Sequence, residues 1–473
     1  MAEGFGAFNC KTYAELIGAI LFERICRQAA EQLLASLTLK ALERSKMNLF
    51  PDQSMMLSYP MNSVNWLSLG KVYYEKYALY NLSWSSHFMD LSSSSNLQST
   101  TKNPSLDMFD LRHAAYGGPV AVRWNPHKLM PSSTKKAQEM TDYMAVFTSS
   151  GHFLSQFHLR QVPKAAFAEN PSILSAITSA NASERITFTT SKLISFEWSL
   201  GNHLFTIFED GSIIVFNVKG ECLQAVNLWK KITSSSRKAS IQQVQLIHST
   251  LVVMTTEYRF LVMENIDFFE WKAVEMPSIA YATNEVPTCF HLFAAQFTKS
   301  NQPEIFVATT KQTIYVLSLE EVMDLQLSSK ISAVISRISI APNGLFLALF
   351  TQNGLLMVLN TKFDNKVLEF DTEATSSPLQ MVWCGEDAVL LYWKKVGVIM
   401  IGPYGSWLKF PYEEAVYLAP ERDCCRIYSS CCHELIRRVP TSIEEIQRIG
   451  STSSSALLYD AMEAFDAGAS AWR

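Results

Sequence analysis

Charged side chains are scarce in this sequence: Asp, Glu, Lys and Arg make up 18% of its 473 residues, against 48% apolar residues. A disordered chain or a long coiled coil carries far more charge and fewer apolar residues, so both classes are excluded. The 40 basic and 44 acidic residues leave a net charge of −4. Without a strongly basic field the chain is not expected to bind nucleic acid.

Glycine is also sparse, and no motif with a catalytic mechanism is present. With 18 glycines in the chain, phosphate-cradling loops of the Walker type and dinucleotide fingerprints are missing, as are a nucleophile elbow and a zincin helix. We therefore expect no enzyme. The sequence singles out no catalytic residue, no cofactor-binding residue and no metal ligand, and it implies no cofactor.

The nine cysteines are too few for a disulfide framework in a chain of this length. Four of them are crowded together as Cys424, Cys425, Cys431 and Cys432, directly before His433. Thiolates and imidazole can bind zinc, but neighbouring strand residues point to opposite faces and the usual two-residue gap between ligands is absent. We interpret them as buried or half-buried thiols of the last hairpin, with a zinc site as the alternative.

Long apolar runs are missing as well. The stretch Leu16–Phe22 is short, and residues 388–402 are interrupted by Lys394 and Lys395, so neither reaches the ~20 apolar residues of a spanning helix. The first residues lack the basic region of a signal peptide. We expect a cytoplasmic protein.

Short apolar runs of strand type, by contrast, fill most of the chain. Leu204–Phe208 and Ser212–Phe216 flank an Asp-Gly turn, and Leu345–Phe350 and Leu355–Leu359 flank an Asn-Gly turn. Both dipeptides are strong hairpin signals because they accept positive φ. Five looser hairpins have their turns near residues 150, 257, 311, 394 and 422.

Seven hairpins, mostly spaced near the ~40–50 residues of a propeller blade, predict a seven-bladed β-propeller over residues 62–440. The last spacing is too short for a full blade, so Val72–Leu82 is the candidate strand to complete one from the N-terminal side. Two smaller β-domains are the alternative. We interpret Trp198, Trp383 and Trp393 as packing residues rather than ligand-stacking residues.

Helical periodicity is confined to the two ends of the chain. Residues 1–60 form a predicted helical extension, with one or two amphipathic helices between residues 12 and 46. Glutamates are mixed with the basic residues there, which favours packing on protein over a membrane surface.

At the other end, residues 441–473 are predicted to begin an α-helical region that looks truncated. Thr441 with Glu444 and Ser442 with Glu445 offer overlapping capping boxes for a short helix. The segment Ser453–Phe465 predicts a second helix, with an apolar stripe along one face.

Several segments occur in an order that resembles one family, from about Val64 to about Phe465. They are Tyr73–Tyr80 with Trp84, Ala114–Pro119, Gln380–Cys384, Tyr417–Glu421, Arg426–Ser429, His433–Glu434, Val439–Pro440 and Ser455–Leu458. In this order they are similar to the N-terminal region of the vacuolar protein sorting-associated protein 16 family. The matched residues are framework: we interpret Gly117–Pro119 as a turn between strands and Trp383 as packing, and carry over no binding site.

The resemblance implies a mainly β fold: a seven-bladed β-propeller with short helical segments at the N-terminus and the start of a truncated α-solenoid at the C-terminus. It implies a non-enzymatic core subunit of the HOPS and CORVET complexes, which tether endosomal, lysosomal or vacuolar membranes before SNARE-mediated fusion. The implied location is cytoplasmic, and peripheral on late endosome and lysosome or vacuole membranes through partners.

The implied partners are the other core subunits of these complexes. The SM-type SNARE-binding subunit is expected only with the solenoid, which makes that contact in the family. Two alternatives stay open: a general trafficking or coat scaffold, and a propeller enzyme or ligand binder that uses the central channel.

Overall fold

The structure, a computed structural model, describes residues 66–82, 84, 105–128, 141–163, 185–232, 238–269, 272–279 and 285–466. Within these ranges the first strands are β1 (Leu67–Leu69), β2 (Val72–Asn81), β3 (Phe109–His113), β4 (Val120–Trp124), β5 (Tyr143–Phe147), β6 (Phe153–His158), β7 (Gln161–Pro163), β8 (Arg185–Thr187), β9 (Leu193–Trp198), β10 (Leu204–Phe208), β11 (Ser212–Phe216), β12 (Cys222–Asn227), β13 (Ile241–Ile247), β14 (Thr250–Thr255), β15 (Phe260–Met263) and β16 (Ala273–Glu275).

The strands that follow are β17 (Pro287–Phe293), β18 (Glu304–Thr309), β19 (Ile314–Leu317), β20 (Val322–Asp324), β21 (Ile335–Ile340), β22 (Phe346–Thr351), β23 (Leu355–Asn360), β24 (Lys366–Asp371), β25 (Gln380–Cys384), β26 (Ala388–Trp393), β27 (Gly397–Ile401), β28 (Trp407–Phe410), β29 (Tyr417–Pro420), β30 (Cys424–Tyr428) and β31 (Cys432–Arg438). Two α-helices come after them in the described part, α1 (Thr441–Gln447) and α2 (Ser454–Asp466). Short 3-10 helices occupy Leu106–Met108, Leu228–Lys230, Ile266–Phe268, Ala295–Phe297 and Leu327–Ser329.

Seven antiparallel sheets form the blades of a β-propeller, as predicted. Blades 1 to 6 are β3–β6, β9–β12, β13–β16, β17–β20, β21–β24 and β25–β28, and β7 and β8 make a separate two-stranded ribbon. Blade 7 is a five-stranded sheet with the order β1-β2-β31-β30-β29. The first strand of each blade contacts the first strand of the next from β3 through to β29, and His113 of β3 contacts Tyr417 of β29. The ring is therefore closed.

The N-terminal strand completes the last blade. β2 pairs antiparallel with β31 along most of its length, from Tyr74 opposite Arg438 to Asn81 opposite Cys432. This confirms the prediction that Val72–Leu82 closes the propeller. It also explains the short spacing of the last two hairpins, because blade 7 takes its outer strands from the other end of the described chain.

The core is divided among the interfaces between blades. Seven hydrophobic clusters each join two consecutive blades, and one of them joins blade 7 to blade 1. The middle strands contact neighbours on both faces, so every residue of β10 and β11 is buried. This double burial gives continuous apolar runs instead of the alternation of a sheet with one solvated face.

Each predicted hairpin lies in a different blade, but two of them occupy unexpected places within it. In blades 2 to 6 the hairpin is formed by the second and third strands, whereas in blade 1 it joins the third and fourth, β5 and β6. In blade 7 it joins the first and second, β29 and β30. The second strand of blade 1, β4, was not predicted, because the sequence between β4 and β5 has no Asp-Gly or Asn-Gly pair that would mark a hairpin there.

The helices near the C-terminus are present, but their caps differ from the prediction. α1 begins at Thr441 after an N-cap at Pro440, and no side chain caps it. The predicted capping boxes are therefore wrong: Thr441 already has helical geometry, so it cannot act as the N-cap. The predicted helices of residues 1–60 lie outside the described residues.

Candidate functional site

Most of the segments that carry the family resemblance meet at the contact of blade 7 with blade 1, which we call the closing seam. The turn Ala114–Pro119 joins β3 to β4 on one side, and β29, β30 and the start of β31 supply the other side. Gln380 of β25 links blade 6 to the same region, since its amide accepts from Leu418 N at 2.9 Å and donates to Leu418 O at 3.2 Å. Segments that are distant in sequence thus form one structural unit.

The carboxylate of Glu421 holds the two sides of the closing seam together. It accepts hydrogen bonds from Tyr116 N and Gly117 N of blade 1, both at 2.7 Å. It also pairs with Arg426 Nε at 3.1 Å, within blade 7. Gly117 has φ +66°, and a Cβ there would lie 2.6 Å from Arg426 Nη2. The turn needs glycine for its left-handed backbone and for this close approach.

His433 is buried on the blade 7 side of the same seam. Its ring stacks on Tyr428 with centroids 4.2 Å apart. A guanidinium can only donate, so Arg426 Nη1, at 3.5 Å, donates to Nε2. The proton is therefore on Nδ1, which donates to Ser149 O of blade 1 at 2.8 Å. Burial lowers the pKa of His433 to about 4, so the ring is neutral at neutral pH.

A second polar group lies on the inner strands of blades 1, 2 and 7, around the central channel. Arg112 Nε of β3 pairs with Glu197 Oε1 of β9 at 2.9 Å. His113 contacts Tyr417 Oη and Pro420 O, both at 3.4 Å. Burial lowers the pKa of His113 to about 4 and raises the pKa of Tyr417 to about 12. No linear motif in the sequence indicated this group, whose members are up to about 300 positions apart.

A ligand site in the channel would require ionisable residues that converge, and these residues do converge. They bind one another, however, instead of leaving their polar atoms available to a ligand. The carboxylate of Glu197 pairs with Arg112 and also accepts from Ser195 Oγ at 2.8 Å. The carboxylate of Glu421 is shared by two backbone N–H groups and Arg426. Charged groups that are paired and hydrogen-bonded to one another have their polar atoms satisfied within the framework. The arrangement is suited to holding the inner ring of strands in register.

The crowded cysteines lie in and beside β30 and β31. The prediction of buried or half-buried thiols is confirmed for three of them and is wrong for Cys431. Cys424 and Cys425 are buried, Cys432 is half-buried and Cys431 is exposed. Burial raises the pKa of Cys424 to about 12 and that of Cys432 to about 11, which disfavours the thiolates that zinc requires. Among the residues that the structure describes, no group of three or more His, Cys, Asp or Glu side chains is placed to hold a metal. The geometry favours the thiol interpretation.

The three tryptophans singled out in the sequence are buried between blades. Trp198 Nε1 donates to Arg112 O at 3.3 Å, and Trp383 Nε1 donates to Ser339 O at 3.1 Å. Trp393 Nε1 donates to Ser376 O at 2.9 Å. Each indole therefore satisfies its single donor on a backbone carbonyl, of a neighbouring blade for Trp198 and Trp383 and of the connection between blades 5 and 6 for Trp393, as the packing interpretation requires.

The helices α1 and α2 contact each other and expose apolar side chains. Ile449, between them, is fully exposed, and Leu457 and Phe465 of α2 are also exposed. In the apolar stripe predicted for the second helix, Leu458 and Met462 are half-buried, whereas Ala461 and Phe465 are exposed. The stripe is therefore only partly covered in the described structure.

The fold and the closing seam define the class of protein: a closed seven-bladed β-propeller in which an N-terminal strand completes the last blade, followed by a pair of helices. The chain belongs to the family described as Vps16, N-terminal region, which matches residues 163–471 and therefore more than half of the sequence. The resemblance seen in the sequence is confirmed.

Several relatives match over most of this chain. Protein VACUOLELESS1 of Arabidopsis thaliana is 28% identical over 423 residues, covering 85% of this chain and 43% of that protein. The vacuolar protein sorting-associated protein 16 homologs of Dictyostelium discoideum and Drosophila melanogaster are 25% and 23% identical, each covering 86% of this chain and 42% and 43% of their own lengths. The chain spans less than half the length of these relatives.

Among solved structures, the β-propeller domain of Cps50 (Swd1) from Myceliophteria thermophila is similar with 12% identity and a TM-score of 0.43. The match covers 72% of this chain and 98% of that chain.

Proposed function

We propose that this chain supplies the β-propeller part of a protein-interaction subunit in an endosomal, lysosomal or vacuolar membrane-tethering complex of the HOPS or CORVET type. The observation that carries the proposal is the family match, which spans most of the propeller and the helices that follow it. It is supported by relatives whose names refer to the vacuole or to vacuolar sorting. The partners would be the other core subunits of such a complex.

The proposed location is the cytoplasmic surface of late endosomes and of the lysosome or vacuole, where the protein is held through its partners. Among the described residues, no helix has both the length and the apolar character that crossing a membrane requires.

The proposed domain organisation has a helical extension over residues 1–60, the propeller over 62–440 and the start of a helical region over 441–473. The contact between α1 and α2 supports the last assignment. The exposed side chains of Ile449, Leu457 and Phe465 offer a surface on which further helices can pack.

The proposed role is non-enzymatic. The charged groups satisfy each other within the framework: Arg112 with Glu197 joins blade 1 to blade 2, and Arg426 with Glu421 lies at the closing seam. A general trafficking or coat scaffold would share this fold and differ in its partners, so partner identity is the property to test.

The test is co-expression of this chain with full-length core subunits of the tethering complexes, followed by affinity purification through a tag on this chain. We expect at least one core subunit to co-purify. We expect the SM-type subunit, expressed alone with this chain, to be lost during washing. The proposal would be contradicted if no core subunit were retained.

Two matched variants assign the contact to one part of the molecule. Leu457→Asp changes an exposed position of α2, and Leu345→Asp changes a similarly exposed turn of blade 5. If the helices carry the contact, only Leu457→Asp lowers the retained fraction. If the propeller carries it, Leu457→Asp leaves that fraction unchanged.

A further inference from the structure

An open groove lies on the outer rim of the propeller, between blades 3 and 4. Its volume is about 350 Å³, within the ~300–1,000 Å³ range of ligand pockets. The groove is lined by Val262, Glu264, Asn265, Phe268, Lys272, Val274 and Leu319. The lining combines an apolar floor with a few charged groups at the edge.

The groove exists because the outer strands of these two blades are short. β16 and β20 have three residues each, whereas β12 and β24 of the flanking blades have six. The short strands β16 and β20 therefore leave part of the apolar surface between blades 3 and 4 uncovered. Val262 is buried, but Val274, directly opposite in the ladder, is 40% exposed.

One wall of the groove is held rigidly. Phe268 ends a 3-10 helix and is 76% exposed, while Ile266 of the same turn is buried. The carboxylate of Asp267 fixes the turn, since it accepts from Ser249 Oγ at 2.7 Å and from Gly201 N at 3.3 Å. The exposed ring is thus held outward by a turn that is tied to blade 2, and a partner would not need to order it.

The edge of the groove is acidic. Glu264 and Lys272 line it, and the exposed residues Glu320 and Glu321 follow Leu319 directly. Among the described residues that line the groove or directly follow its lining, three glutamates therefore outnumber one lysine. Partial burial raises the pKa of Glu264, so a cation placed beside it would stabilise the carboxylate.

We propose that this groove binds a short segment of a partner protein that presents a bulky apolar side chain flanked by lysine or arginine. The apolar side chain would lie on Val262, Val274 and Leu319 beside the ring of Phe268, and the basic residues would face the acidic edge. The proposal does not depend on the tethering function, because it concerns only this surface.

The first measurement uses the purified full chain and a fluorescent peptide in which Leu-Phe is flanked by two lysines on each side. Two matched peptides replace the lysines with glutamates or Leu-Phe with Ser-Gly. We expect saturable binding of the basic peptide by fluorescence polarisation, weakening as salt is added. Absence of binding, or equal binding of the acidic peptide, would overturn the proposal.

Variants locate the binding. Val274→Asp places a charge on the floor and should weaken binding about tenfold or more. Its control is Val367→Asp on the outer strand β24, at a position that is 46% exposed, which should bind as the unchanged protein does. Equal effects of the two variants would refute the assignment, and a thermal melt of each verifies folding.

A gain of binding gives an independent test. Lys272→Glu removes the lysine found among the described lining residues and should tighten binding of the basic peptide about two- to fivefold. Weaker or unchanged binding would contradict the electrostatic part of the proposal. Light scattering of the unchanged protein shows whether a second copy of the chain fills the groove, and a dimer abolished by Val274→Asp would replace the proposed partner.

Discussion

Removing the carboxylate of Glu421 should destabilise the propeller through its closing seam. In Glu421→Ala, Tyr116 N and Gly117 N lose their acceptor and Arg426 loses its counterion. Removal of one partner from a buried ion pair costs ~3–5 kcal/mol. The side chain of Glu421 is 5% exposed and that of Arg426 is 19% exposed, so water can reach the arginine in part. We therefore expect a loss of about 3 kcal/mol in the free energy of unfolding.

The matched control is Glu369→Ala, which breaks an exposed pair with Lys366 in which the side chains are 43% and 49% exposed. Exposed pairs contribute ~0–1 kcal/mol, so this variant should unfold almost as the unchanged protein does. Urea unfolding followed by tryptophan fluorescence measures both. Hydrogen exchange detected by mass spectrometry should also show faster exchange in β2 and β30 of Glu421→Ala, because local opening begins where blade 7 meets blade 1.

The result that would refute this reasoning is a Glu421→Ala protein as stable as Glu369→Ala, with unchanged exchange in β2 and β30. The closing seam would then be held by its hydrophobic cluster alone, and the polar contacts would add nothing to the stability of the ring.

Two further predictions concern stability. Burial lowers the pKa of His433 to about 4, whereas the ring in the unfolded chain titrates near 6.5. Between these pH values only the unfolded chain takes up a proton at this residue. The free energy of unfolding should therefore fall by up to ~3 kcal/mol through His433 as the pH drops from 6.5 to 4. His433→Gln should reduce the pH dependence measured in urea titrations by this amount and leave the part that His113 contributes over the same range. An unchanged slope would contradict the assignment. Gly397 has φ +95° and its added Cβ would lie 2.4 Å from Phe410 O, so Gly397→Ala should cost ~2–4 kcal/mol. Gly450→Ala, at φ +74° with no atom within 4 Å, should cost ~1–2 kcal/mol; equal shifts of the thermal midpoint would exclude a role for the contact with Phe410.

The propeller could be predicted from the sequence because its signal is local. Tight Asp-Gly and Asn-Gly turns between apolar runs mark the middle hairpin of blades 2 and 5, and looser turns mark one hairpin in every other blade. Where the local signal fails, so did the prediction. β4 was missed because a connection of 18 residues, from 125 to 142, separates it from β5. β31 was missed because four of its seven residues, Cys-His-Glu-Leu-Ile-Arg-Arg, are polar or charged.

The closing seam could not be predicted, because its contacts join residues that no periodicity relates. Glu421 lies about 300 positions from the backbone groups that it binds. From the sequence, the segments around Glu421 could be recognised because they resemble a known family in their order. The hydrogen bonds and the ion pair that they form could not be predicted. The helix cap failed for a local reason: Pro440 directly precedes Thr441 and takes the extended conformation of an N-cap, and its fixed ring geometry determines where the helix begins.

The completion of blade 7 by β2 has a consequence for biosynthesis. β2 ends at residue 81, and its partner β31 begins at residue 432, so 432 − 81 = 351 positions separate them in the nascent chain. A ribosome adds ~5–20 residues per second, and β2 therefore waits roughly 20–70 s for its partner to emerge. During that time its tyrosine-rich edge is an unpaired template for other strands. We therefore expect the yield of folded protein to rise when that strand is shielded from other chains during translation.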